Sequence, residues 1–392
     1  MAELAAPTLD ARREAAASRV SELELPAFRG TTGWEFTPID KLDLDAYPAA
    51  PGGAFEPSFE LGESSEPPDG VIVLPLAEAA EKLPELVEAH LGSVVPMTTQ
   101  LVARNEAQWT DGVFVHVPRG VVVDTPIVLG TAHEQAGTSL HWRLLVVVEE
   151  GAQVSVWHES SSAGDGVVNG VVELVVGQNA RLRLVDLQDL DESTWVFGSQ
   201  RAVVARDGWL DWITLGFGSA NGKVFQETQL AGPGAHGGVT GAYALRGRQH
   251  LDFDTLQEHA APDTTSDLAF RGLLAGRSSA VWRGMIKVDP GAQRTDAFQE
   301  SRNLLVSKRA HADAIPGLEI LADDVRCTHA AAIAQLDPEQ IFYLRSRGLT
   351  EPRAQRLVIE GFLHAIVERF EEGPVRDAVG GALERRLASV LG

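Results

Sequence analysis

The chain has 392 residues, 44% of them apolar, which is enough for a sizeable packed core. Its 33 basic and 55 acidic residues leave a formal charge of -22, which opposes phosphate backbones and anionic lipid, so nucleic acid and membrane are excluded as preferred partners. A single cysteine, Cys327, cannot close an intramolecular disulfide, and with no apolar signal core the expected compartment is the cytoplasm.

Charge is uneven along the chain. Residues 1–100 carry 18 acidic and 6 basic side chains, whereas residues 338–392 carry 8 of each, so a protein partner meets the least repulsion at the C-terminal end. A solvated, evenly mixed helix surface accounts for the same count.

Residues 8–25 have helical composition with apolar Ala15, Val20, Leu23 and Leu25, and Pro26 ends them. Pro48 to Gly70 is rich in Pro, Gly, Ser and Glu and reads as a solvated connection. Residues 74–91 resume helical spacing, with Leu74, Leu76, Ala80, Leu83 and Leu86 as the expected buried set. These form a mixed N-terminal region over residues 1–97.

From residue 98 short runs of Val, Leu, Ile, Phe and Trp take over, such as Val113–Val117, Leu144–Val148 and Val171–Val176. Related turns recur at Gly151-Ala-Gln-Val154, Asn179-Ala-Arg-Leu182 and Asp207-Gly-Trp-Leu210, with Ala152, Ala180 and Gly208 each 28 apart. A fixed interval of turn and strand is the mark of a solenoid whose laps bury their apolar side against one another. Pro290-Gly-Ala-Gln293, Lys308-Arg-Ala-His311 and Asp323-Asp-Val-Arg326 open later strands less regularly. A β-sandwich gives similar short strands; the spacing favours a mostly β fold, a right-handed parallel β-helix-like solenoid over residues 98–336.

Helical signals return at residues 337–392. Asp337-Pro338-Glu339-Gln340 supplies an N-cap, a proline at the first helical position and a capping-box partner, and Gly348 ends this first helix. Thr350 is expected to cap a second, with Leu357, Phe362, Ile366 and Phe370 as its apolar stripe; Gly373-Pro374 stops it before a third over 375–390.

Nucleotide motifs fail. Gly232-Pro-Gly-Ala-His-Gly237 fits G-x-G-x-x-G but contains a proline and leads to no helix, and Asn221-Gly-Lys-Val224 has Val224 where a magnesium-binding hydroxyl belongs. Asp252 and Asp254 are a conceivable carboxylate pair for glycoside chemistry, although acids in strands are more commonly solvated. In Val325-Arg326-Cys327-Thr328-His329, strand geometry sets the thiol and imidazole on one side, roughly 6.6 Å apart. Both are metal ligands, and an imidazolium nearby would favour the thiolate; ordinary packing roles stand beside that reading. One thiol cannot hold an iron–sulfur cluster alone, since clusters take about four cysteine-type ligands.

The runs Leu304-Leu-Val-Ser-Lys-Arg-Ala310, Ile315-Pro-Gly-Leu-Glu-Ile320, Ala322-Asp-Asp-Val-Arg-Cys-Thr-His-Ala330 and Ile341-Phe-Tyr-Leu-Arg-Ser-Arg-Gly-Leu349 closely resemble the C-terminal half of the SufD branch of the SufB/SufD family. Leu101-Val-Ala-Arg-Asn-Glu106 with Asp111-Gly-Val-Phe-Val-His-Val-Pro118 is similar to the entry of the family's β-helix, and Gly33-Trp-Glu-Phe-Thr37 to its N-terminal signature. The likeness spans nearly the whole chain, weakest over 45–95 and 155–240. Ala330-Ala331-Ala332 departs from the Gly-Ala-Thr of many relatives.

The resemblance implies a non-catalytic scaffold of the SufBCD iron–sulfur assembly complex, paired through its β-helix with SufB, while its C-terminal helices hold the ATPase SufC. It implies His329 and Cys327 as the cluster-assembly candidates, with a transient cluster shared with SufB and no stably bound cofactor. Phe342, Tyr343, Arg345, Arg347 and Phe362 are the implied ATPase contacts. A homodimer of the isolated chain stays open. In SufB a sulfur-accepting cysteine falls where this chain has Ala310, which favours the SufD branch over a SufB-like paralogue. A β-helix enzyme acting on polysaccharide, and a purely structural partner, are the readings from other classes.

Overall fold

The computed structural model describes residues 8–50, 57–58 and 68–391. Most of the connection expected between Pro48 and Gly70 thus lies outside the described residues. Two nine-stranded sheets face each other. Sheet A stacks Ile72–Pro75, Asp111–Val117, Thr138–Val148, Gly166–Val176, Thr194–Val204, Asn221–Leu230, His250–His259, Ser279–Val288 and His311–Ile320 in that order. Sheet B stacks Pro57–Ser58, Ile127–His133, Gln153–Ser162, Arg181–Asp189, Trp209–Gly216, His236–Leu245, Thr265–Leu274, Thr295–Leu305 and Val325–Gln335. From Asp111 on, successive strands alternate between sheets and neighbours within a sheet run parallel, so the chain winds as a β-solenoid of about eight turns.

The 28-residue interval is one lap: Gln153 pairs with Arg181 and Arg181 with Trp209. Gly151, Asn179 and Asp207 all take positive φ (70°, 55° and 53°), which explains why that turn position accepts only glycine or a short polar side chain. Later laps vary in length, as when Thr265 pairs with Asp296. Inward-facing side chains fill the space between the sheets, with Trp212, Trp282, Tyr243, Phe253 and Phe270 among the largest fully buried ones. Burying each such side chain stabilises the stack by roughly 1.5–3 kcal/mol.

The N-terminal end of the solenoid is covered. Ile72–Pro75 and Pro57–Ser58 add antiparallel to the first strands of their sheets. Helices α1 (Leu9–Glu22), α2 (Leu76–Lys82), α3 (Pro84–Glu88) and α4 (Gln100–Gln108) pack there. Leu76, Ala80, Val87 and Leu91 are buried, whereas Leu74 lies in a strand and Leu83 and Leu86 are half-buried. Helix α4 corrects the expectation that strands begin at residue 98. Thr99 caps it, accepting from the Val102 N–H, and its polar Asn105 and Glu106 are buried because they serve the sheet beneath. Asn105 donates to the carbonyls of Trp142 and Asn169, and Arg143 donates to Asn105 and pairs with Glu106.

After the last lap the chain folds back, and α6 (Glu351–Val367) and α7 (Pro374–Leu391) lie on the outer face of sheet B over its middle strands. Ile359, Leu363, Ile366, Val379, Leu383 and Leu387 share a core with Val185, Leu187, Ile213 and Leu215, so these strands are apolar on both faces. Of the expected stripe, Ile366 and Phe370 are buried, Phe362 is half-buried and Leu357 is exposed. Thr350 makes no side-chain cap; α6 starts instead with Pro352 in its first turn. Asp337 caps α5 (Pro338–Ser346) through the Glu339 N–H.

Candidate functional site at the open end of the solenoid

No described strand follows His311–Ile320 in sheet A or Val325–Gln335 in sheet B, so both present a free edge. Register tells which way their side chains point. Leu268 and Gln299 are fully buried inward residues, and Gln299 pairs with His329; likewise Ala297 pairs with Cys327. His329 and Cys327 therefore belong to the inward file of the last lap, on one side of the strand as expected. Leu318, Ile320 and Ile333 are exposed apolar residues of the same two edges, with no described lap stacked beyond them.

The two candidate ligands differ in state. His329 is exposed. Cys327 is half-buried against Ile286, Val288, Ala292 and Ala297, and burial pushes its thiol up, with Asp296 adding to the shift. This corrects the expectation that a neighbouring imidazolium favours the thiolate: apolar packing wins and the sulfur stays protonated. Among the described residues no group of three or more His, Cys, Asp and Glu is placed to hold a metal ion, so this end contributes at most a partial donor set.

The helical surface nearby is equally uneven. Phe342 and Tyr343 on α5 are 73% and 56% exposed, too much apolar surface for a helix whose only buried residue is Ile341. Arg347 stacks over Tyr343 at 5.3 Å and Arg345 pairs with Glu351 at 3.1 Å. Phe362 instead packs toward sheet B, with the Arg271 guanidinium 6.0 Å from its ring. Of the five residues singled out there, Phe342, Tyr343, Arg345 and Arg347 are exposed and Phe362 is half-buried.

Other motifs resolve into structure. Gly232 to Ala235 form a turn leading into a strand. Lys223 is fully buried with its Nζ 2.8 Å from Asp252 Oδ1 and 3.5 Å from Asp254 Oδ2, and Thr37 covers Asp252 with a 2.9 Å hydrogen bond. Burial raises both carboxyls and Lys223 bridges them, so the two acids are partners in one packed ion-pair cluster.

Sequence reasoning missed two lap-to-lap arrangements, a three-residue relay and a pair. Thr131 Oγ1 lies 2.9 Å from His158 Nε2, and His158 Nδ1 lies 2.9 Å from Asp186 Oδ1; His158 and Asp186 are 28 residues apart, one lap. The connectivity is that of a nucleophile, base and acid, but all three are buried between the sheets, and the cavity that Asp186 lines is about 30 Å³, room for a water and no substrate. Gln299 beneath His329 is the other.

Comparison with known proteins agrees with this architecture. The family described as "SUF system FeS cluster assembly, SufBD core domain" matches residues 130–362, and "SufBD protein N-terminal region" matches 55–129. The Bacillus subtilis "Iron-sulfur cluster assembly protein SufD" is 30% identical over 325 residues, covering 81% of this chain and 74% of the relative. A Mycobacterium leprae SufBD family protein is 28% identical over 94% of this chain and 92% of its own. The Bacillus subtilis SufB is 26% identical over 88% and 78%. A β-solenoid with N-terminal and C-terminal helices, an open last lap and a core-domain match over more than half its length place the chain in the SufB/SufD family of SUF iron–sulfur cluster assembly.

Proposed function

We propose that the chain is the SufD-type core subunit of a cytoplasmic SufBCD-like complex, a scaffold that hydrolyses nothing itself. Its open lap pairs with SufB, and His329 offers one ligand to a cluster that both subunits hold transiently. The observation that carries this reading is the exposed imidazole on an inward file at an end with free strand edges and too few donors of its own. Cys327, protonated and half-packed, is the lesser contributor. Ala310, buried in the main core, supports SufD over SufB, because no sulfur acceptor stands there. The same edges suit a second copy of this chain when SufB is absent.

Reconstitution with both partner subunits tests the ligand. His329→Ala is expected to abolish most cluster absorbance while the complex still elutes intact, and Cys327→Ala to leave most of it. Undiminished cluster formation by His329→Ala would remove the imidazole from the mechanism.

The α5 face is proposed as the seat of the ATPase SufC, since Phe342 and Tyr343 are aromatic anchors flanked by Arg345 and Arg347. Truncation is a poor test, because deleting α6 and α7 bares the sheet B core. Phe342→Ala with Tyr343→Ala is expected to weaken ATPase binding at least about thirtyfold by calorimetry, the scale of a hot-spot loss near 2 kcal/mol. Unchanged affinity would move the docking site elsewhere.

A further inference from the structure

Gln299 sits one lap beneath His329 in the same inward file and is fully buried. Its side chain crosses to sheet A, where Nε2 donates to the carbonyls of Gly284 (3.3 Å) and Gly317 (3.0 Å). Those contacts fix the amide: turned over, its oxygen would face two carbonyl oxygens. A Cβ at Gly284 would run into the Trp282 ring and lie 2.5 Å from Gln299 Oε1, so the side-chain oxygen packs against bare backbone there. The oxygen itself is buried and has no hydrogen-bond donor among the described residues. An oriented, buried acceptor without a partner costs stability unless something supplies an N–H or O–H.

Two file neighbours flank it, Leu268 one lap back and His329 one lap ahead. Leu268 has nothing to donate. Trp282 Nε1, also buried without a partner, does not reach an acceptor in this arrangement. We propose that Gln299 is the positioning residue for His329: the ring makes no hydrogen bond to a described residue, and when it turns inward from its register position the unpartnered amide oxygen accepts one ring N–H, so that the other ring nitrogen carries a lone pair toward the open end. This rests on the reading of His329 as the ligand offered to the shared cluster. It deepens that reading because an imidazole ligates through the nitrogen left unprotonated, and the partner of the opposite nitrogen decides which one that is.

The full-length chain labelled with ¹⁵N at histidine, at one alkaline pH, reports the tautomer by long-range ¹H–¹⁵N correlation, with His329→Gln assigning the signal. A single tautomer is expected in the parent chain, a mixture in Gln299→Leu, and restoration in Gln299→Glu, whose buried carboxyl stays protonated, donating its O–H to the carbonyls of Gly284 and Gly317 while its other oxygen accepts the ring N–H. Trp282→Phe is expected to leave the tautomer alone. An identical pattern in parent, Leu and Glu variants overturns the proposal, as does a pattern that follows Trp282. Circular dichroism establishes that each variant keeps its β-structure; if the Leu variant does not fold, the parent and Glu spectra decide, a mixed tautomer in either being the refuting result.

Reconstitution separates this from the parent reading. If His329→Ala still assembles clusters while the tautomer follows Gln299, the ligand role fails and the positioning contact stands. If His329→Ala abolishes assembly and the tautomer ignores Gln299, the reverse holds. With both correct, Gln299→Leu lowers the initial rate of cluster formation about tenfold or more, the scale of losing a partner behind a metal-binding imidazole, and Gln299→Glu recovers most of it.

Discussion

Between pH 6.5 and pH 4 the chain is expected to lose most of its stability, well before its surface carboxylates are fully protonated. His141, His250 and His259 are held to about 4 against an ordinary value of 6.5, in each case chiefly by burial. Arg104 adds to the effect at His141, and Lys223 at His250, where Asp313 opposes it. Their ring nitrogens are engaged: Asn169 meets His141, Ser279 and Thr37 meet His250, and Thr264 and Ser266 meet His259. Because the folded value lies below the unfolded one, the unfolded chain takes up protons first. The stabilisation is whole above pH 6.5, declines below it and is gone once pH falls under 4. Each histidine contributes on the order of 3 kcal/mol over that window, and three together approach the total stability of an ordinary domain.

Carboxyls modify the profile without reversing it. Glu106 and Glu300, pulled down by their arginine partners despite burial, add a loss below their ordinary range. Asp252, Asp254 and Glu227, raised by burial, keep protons in the fold and oppose it. Urea unfolding followed by far-UV circular dichroism at pH 7.5, 5.5 and 4.5 measures the slope. His259→Gln should flatten it by about a third; an unfolding midpoint that stays constant over this range would show that these imidazoles take up protons in the native state as readily as in the unfolded chain.

How far the sequence reached is seen in particular residues. The lap was legible because Gly151, Asn179 and Asp207 must adopt positive φ, and only a few residue types tolerate that. The side shared by Cys327 and His329 followed from strand period alone. What pattern could not carry was the content of each environment. Leu101 to Glu106 form a helix whose buried face includes Asn105 and Glu106, so polarity misreported burial there. Cys327 met an apolar wall where an imidazolium was expected, and Phe362 turned toward sheet B because the strands beneath are apolar on both faces. The Thr131, His158 and Asp186 relay was within reach, since one lap separates its last two members, but only after the lap had been established.

Lys223→Ala is expected to destabilise the fold by about 3–5 kcal/mol, more than removing most apolar side chains of its size. Lys223 and Asp252 are both 1% exposed, sealed against the outer face of sheet A by the segment carrying Trp34 and Thr37, with the ammonium also 4.7 Å over the Phe225 ring. Taking the ammonium away leaves Asp252 without its cation in a setting that already raises its carboxyl, so the acid must bind a proton or open the segment to water. The pair itself is a weak net stabiliser, because the desolvation of both charges offsets their attraction. Lys223→Met with Asp252→Leu should therefore recover most of the loss, leaving a coupling energy of several kcal/mol in the double-mutant cycle. The same lysine depresses His250, so in Lys223→Met alone the His250 imidazole should titrate higher than in the parent chain and the acid loss should begin to shrink. Chemical unfolding of the four chains at pH 7.5 measures the cycle. Additive losses, with the double variant as unstable as the sum of the singles, would mean that lysine and aspartate do not share one buried site, and the polar seal beneath Thr37 would have to be assigned to other groups.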